Sequence, residues 1–273
     1  RRQAGRRRPW PSEWFFPAYE TILPGAPGVG AFDRLVRIPF QARNRIPLQT
    51  RFIIAIDGPA GAGKSTIARA VASALGATYI DTGAMYRAVA LKAIRAGADL
   101  ADETALTRLA EGASIELGAD GLVLLDGEDV SALIRTPEIA QAASKASALP
   151  GVRRAMVASQ RRMAESRSVV MEGRDIGTVV FPDAQVKIYL DASPGVRAMR
   201  RVLEMRQKGM DADPAQVEAE IRERDHRDSN RAEAPLTQAP GAVYVDTSPM
   251  GVDEVVAALL RITSERIGKE VEA

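Results

Sequence analysis

From residue 51 onward the chain alternates short apolar runs with stretches of helical period. Residues 52–56 are continuously apolar, as a strand buried on both faces requires. Ile67, Val71 and Leu75 then recur at helical spacing, and Gly76 is the residue type that stops a helix in a left-handed turn. Residues 78–80 predict a second strand and residues 83–96 a second helix, ended by Gly97. Residues 168–171, 186–190 and 243–245 predict further strands. Ser193 before Pro194 and Asp213 before Pro214 each place a capping side chain ahead of a proline, so a helix is predicted after each. Val252, Val255, Val256, Leu259 and Leu260 form the apolar stripe of a last helix. This alternation predicts an α/β fold, a parallel sheet with helices on both faces.

One stretch breaks the rhythm. Residues 114–117 and 122–125 are short strand-like runs separated by a Gly118–Gly121 turn and followed by a turn at Gly127, the pattern of a small antiparallel meander. It lies between helical segments at 102–112 and 136–148, so residues 103–146 read as an insertion projecting from the parallel core.

Residues 1–50 have neither period. They hold nine Arg, no Lys and three acids, a net of 9 − 3 = +6, while the whole chain carries only +2. They also hold both Trp and seven Pro. Three readings compete: a disordered or loosely docked extension, an Arg-rich transit peptide, and a nucleic-acid-binding arm with interleaved aromatics. The segment is rich in Pro and poor in Ser, and the disordered extension is the expectation carried forward. No Met precedes Met85, so a fragment or a coding region read from too far upstream is expected. The chain has no Cys, which excludes a disulfide framework and a thiolate zinc site. No apolar run reaches about 18 residues, so no membrane-spanning helix is predicted.

Residues 58–65 read GPAGAGKS, matching G-x-x-x-x-G-K-[ST], between a predicted strand and a predicted helix. Glycines let backbone N–H groups close around phosphate oxygens, and the helix N-terminus adds positive charge. Lys64 can reach the β- and γ-phosphates and Ser65 can ligate Mg²⁺. Arg87 falls early in the next helix, at the strand ends where α/β sheets bind ligands. Residues 172–175 put an acid and Arg174 after a third strand. Arg224, Asp228 and Arg231 fall at i, i+4, i+7, one helix face. Such a face alone is commonly a solvated salt-bridge row, but beside a P-loop and two other arginines it reads as a phosphate site. His226, the one histidine, sits among arginines and is expected to be exposed and inert.

Taken together these blocks resemble the bacterial cytidylate kinases, P-loop nucleoside monophosphate kinases. The matching runs are residues 56–66, 81–87, 127–131, 134–136, 173–183 and 224–231, in order over some four-fifths of the chain. The resemblance implies a P-loop kinase fold with a five-stranded parallel sheet, a domain over 51–273, a CMP-binding insertion at 103–146, and a short lid at 199–213. It implies ATP binding by Gly58, Pro59, Ala60, Gly61, Ala62, Gly63, Lys64, Ser65 and Thr66, with Mg²⁺ at Ser65. Lys64, Arg174, Arg231 and Arg200 would be catalytic. Arg87, Arg174 and Arg231 would hold the CMP phosphate, with Thr82 and Tyr86 beside them. Ser144, Arg153 and Asp175 would read cytosine, and Arg224 and Asp228 would contact the ribose. The implied partners are ATP and CMP or dCMP; a cytoplasmic monomer needing no nucleic acid or membrane is expected. Rival readings are a P-loop kinase for another acceptor, and a P-loop switch or nucleic-acid-binding protein using the basic arm.

Overall fold

A computed structural model describes residues 51–207, 209–231 and 233–271; the predicted extension at 1–50 lies outside them. The elements run β1 (Ile53–Asp57), α1 (Lys64–Leu75), β2 (Thr78–Asp81), α2 (Thr82–Arg95), α3 (Glu103–Glu111), β3 (Ile115–Leu117), β4 (Val123–Leu125), β5 (Glu128–Asp129), α4 (Pro137–Ala146), α5 (Pro150–Ala164), β6 (Val169–Gly173), β7 (Val186–Asp191), α6 (Pro194–Gln207), α7 (Pro214–Ser229), β8 (Val243–Asp246) and α8 (Val252–Val271). A five-residue π-helical turn, Ile176–Val180, joins β6 to β7.

The main sheet has five strands in the order β2-β6-β1-β7-β8, every pairing parallel. The alternation of side chains along each strand divides the core in two. Ile54 and Ile56 of β1 join Val170 of β6 and Val186, Ile188 and Leu190 of β7 in a cluster with α1 and α8. Ala55 of β1 and Val169 and Met171 of β6 point the other way, into a cluster with α2, α3, α4 and α5. Ile54, Ile56, Ile188 and Leu190 are at most 1% exposed; burying a side chain of that size contributes about 1.5–3 kcal/mol.

The meander forms as an antiparallel sheet, β3-β4-β5. Its inward residues Ile115, Val123 and Leu125 join the α2 side of the core. Helix α5 had no counterpart among the predicted elements. Residues 199–207, expected in a lid, continue α6, whose Ala198 and Val202 pack on Val217 and Ile221 of α7. Among the described residues no helix is long and apolar enough to cross a membrane.

Candidate active site

The P-loop side is built mostly from backbone. Gly58 leaves β1 with φ of 147°, and a Cβ there would run into the Leu190 carbonyl of β7. Gly63, at φ 87°, turns the chain into α1 in the left-handed region that glycine tolerates. Lys64 opens α1, is 6% exposed, and donates from Nζ to the Pro59 carbonyl at 2.7 Å. Burial, then the nearby Arg174, lowers its pKa to about 7 against the pull of Glu172.

Helix α6 braces this loop through Arg197. Buried Arg197 donates to the Ala60 carbonyl at 3.0 Å and to the Ala192 carbonyl at 2.7 Å, and grips both oxygens of Asp225 on α7 at 3.1 and 2.6 Å. Arg200 reaches the chain after β8, donating to Thr247 Oγ1 at 3.0 Å and to its carbonyl at 2.7 Å.

A second cluster is built from side chains on or beside α2, α4, α5, β6 and α7. Asp81 caps α2 by accepting from the Ala84 N–H at 2.8 Å, and its other oxygen accepts from Arg87 at 3.1 Å. Thr82 donates to the Glu172 carbonyl at 2.7 Å, tying α2 to β6. The Arg153 guanidinium lies 5.9 Å from the Tyr86 ring centroid, donates to the Ser147 carbonyl at 3.0 Å, and pairs with Asp175. Burial pushes the Tyr86 phenol up to about 12. Ser144 is half-buried on α4, and its carbonyl accepts from the Ser147 hydroxyl at 3.1 Å.

Arg174 donates from Nε to Asp228 at 2.9 Å. Burial pushes the Asp228 carboxyl up, but Arg174, Arg224 and Arg231 together outweigh that and hold it below the usual range. Burial, then Arg174, lowers Arg224 to about 10. Arg231 is lowered by burial, then by Arg153. It was expected on the helix face of Arg224 and Asp228, yet α7 ends at Ser229 and Arg231 lies beyond Asn230, donating to the Ala234 carbonyl at 3.0 Å. The Nε atoms of Arg87, Arg224 and Arg231 are buried without a partner. Like charges gathered with unpaired donors suit a polyanion, because each buried unpaired donor costs about 1–3 kcal/mol. His226 is exposed, as expected.

Glu172 is buried near the end of β6. Its carboxylate accepts from the Tyr79 phenol at 2.6 Å and from the Ser65 hydroxyl, and burial raises its pKa. Among the described residues no group of three or more His, Cys, Asp or Glu could hold a metal ion. One hydroxyl and one carboxylate leave most coordination positions to phosphate and water, a donor set that fits Mg²⁺.

A family profile described as cytidylate kinase matches residues 54–265. The chain belongs to the cytidylate kinase family. It is 58% identical over 222 residues to the cytidylate kinase of Solibacter usitatus, covering 80% of this chain and 95% of that protein. The Pelotomaculum thermopropionicum cytidylate kinase is 53% identical over 218 residues, 78% of this chain and 96% of the relative. That of Rhodococcus jostii is 48% identical over 223 residues, 80% and 97%.

Three residues of this cytidylate kinase family member went unread in the sequence. Asp57, 3% exposed, accepts from the N–H groups of Ile176 at 2.8 Å and Gly177 at 2.7 Å. Its signal was a lone acid closing an apolar strand. Arg197 gave none, since its helix carries many arginines. Tyr79 looked like any strand aromatic, and its phenol is pushed far up by burial and by Glu172.

Proposed function

We propose that this chain transfers the γ-phosphoryl group of ATP to CMP, and to dCMP, giving ADP and CDP or dCDP. The reading rests above all on one observation: the buried, unpartnered Nε donors of Arg87, Arg224 and Arg231 lie outside the P-loop. An ATPase without an acceptor has no second phosphate to engage such a set.

The P-loop backbone and Lys64 hold the β- and γ-phosphates, and Arg200 approaches from α6. Ser65 and Glu172 would hold Mg²⁺ with ATP, and the ion would supply charge neutralisation at the phosphates. Arg87, Arg174 and Arg231 hold the CMP phosphate so that one of its oxygens faces the γ-phosphorus in line. That phosphate is already largely ionised near neutral pH, so no general base is needed. Positioning and charge neutralisation supply the acceleration. Arg224 and Asp228 take the ribose while Asp228 keeps Arg174 in place. Ser144, Arg153 and Asp175 take the base, with Tyr86 beneath Arg153. Residues 51–273 form the catalytic unit.

A coupled ADP-release assay against CMP, dCMP, UMP and AMP tests the reading. CMP and dCMP should give the highest catalytic efficiency. ADP release at the same rate with no acceptor present would overturn it.

A further inference from the structure

We infer that Asp57 is a positioning residue for acceptor choice: it caps the turn after β6 from the neighbouring strand and so leaves the Asp175 carboxylate to Arg153 and the base. The inference rests on the acceptor reading above.

The first N–H groups of a helix have no intrahelical partner, and an aspartate just before the helix usually accepts from them. Asp175 occupies that place ahead of the π-helical turn Ile176–Val180, yet its side chain makes no capping bond. Its carboxylate is turned instead to Arg153. The turn's N–H groups are buried and need an acceptor all the same. Asp57 supplies it, one oxygen to Ile176 and the other to Gly177. The β1–β6 register sets Asp57 beside Gly173, so the cap comes from the strand that leads into the P-loop.

The arrangement has an electrostatic cost. Burial first, and the Asp175 charge in part, raise Asp57 to about 6, while the two N–H bonds and Lys64 act the other way. Two carboxylates are kept close so that each has a separate task. Short π-helical turns of this kind occur often at functional sites. Asp175 holds the N-cap position of this turn, so without Asp57 it is drawn to cap it, which would take it from Arg153 and from the base.

The test is Asp57→Asn. The amide can accept one N–H but sets its own NH₂ against the other. Expected are a rise in KM for CMP of about tenfold, a fall in the CMP:UMP efficiency ratio of about the same size, and binding of a non-hydrolysable ATP analogue within about threefold of wild type. Adding Asp175→Asn should then cost little further, because the two changes remove one arrangement. A folded Asp57→Asn protein with an unchanged CMP:UMP ratio would overturn the inference, as would equal losses for CMP and the ATP analogue. Hydrogen exchange in the wild type gives a check independent of any variant's folding. The Ile176 and Gly177 amides should be protected before CMP is added, and rapid exchange there rules out the cap. A wild-type protein indifferent between CMP and UMP would overturn the acceptor reading itself, and the role of Asp57 with it.

Discussion

The P-loop and the arginine–carboxylate cluster meet at the same ends of the same parallel strands, but they are made of different material. The loop is nine consecutive residues, Gly58–Thr66, whose shape depends on backbone angles that Gly58 and Gly63 permit. The cluster is gathered from α2, α5, β6 and α7, residues more than a hundred positions apart, and is held by ion pairs: Arg87 with Asp81, Arg153 with Asp175, Arg174 with Asp228. A backbone cradle binds what phosphates share. A side-chain cluster can distinguish one acceptor from another. On the proposed reading, common chemistry is local in the chain and substrate choice is distributed.

The largest expected effect lies on the P-loop side. Lys64→Ala should lower turnover about 100- to 1,000-fold, because its charge acts where negative charge develops in the transition state. The protein should remain folded, since Lys64 contributes a short bond to Pro59 and little apolar burial. Circular dichroism and turnover measured together check both parts, and near-normal turnover would contradict the P-loop role.

Arg197 is where the two materials join, holding the Ala60 carbonyl of the loop and Asp225 of α7 at once. Arg197→Met keeps the volume and removes the charge. Removing one partner of a buried pair costs about 3–5 kcal/mol; the partial exposure of Asp225, 23% of its side chain, puts the expectation near the lower end, about 3 kcal/mol by urea unfolding. KM should rise for both ATP and CMP. A stability loss with both KM values unchanged would mean that the halves are positioned independently.

This contrast also explains what could be read from sequence. Strands β1 and β6 were legible because they are buried on both faces and read as apolar runs. The P-loop was legible because its chemistry lies in consecutive residues. Helix α5 was not, because Arg153, Arg154, Arg161 and Arg162 interrupt its apolar stripe, although Val152, Met156 and Ala164 are buried. The arginines of this cluster, with Asp175 and Asp228, were found by residue type and family resemblance. Which carboxylate pairs with which arginine could not be read, since Arg153 with Asp175, Arg174 with Asp228 and Arg197 with Asp225 are pairings made by the fold. The helix-face reading of Arg231 went astray because helical spacing was extended two residues past the end of α7. Asp57 illustrates the same limit, since its partners are backbone N–H groups about 120 residues away.

The central claim is that the acceptor is read by charge at Asp175 and Arg153. Cytosine offers an N4 amino donor beside an N3 acceptor, and uracil reverses both. The carboxylate and guanidinium suit the first and oppose the second, and a buried mismatch costs about 1–3 kcal/mol per group. An amide can rotate to donate to O4 of uracil. The most direct measurement is therefore the ratio of CMP to UMP catalytic efficiency in wild type and in Asp175→Asn. The account predicts a strong wild-type preference for CMP that falls in the variant, chiefly through lost CMP efficiency with UMP little changed. Equal proportional losses for CMP and UMP would contradict it and reduce Asp175 to a scaffold for the arginines.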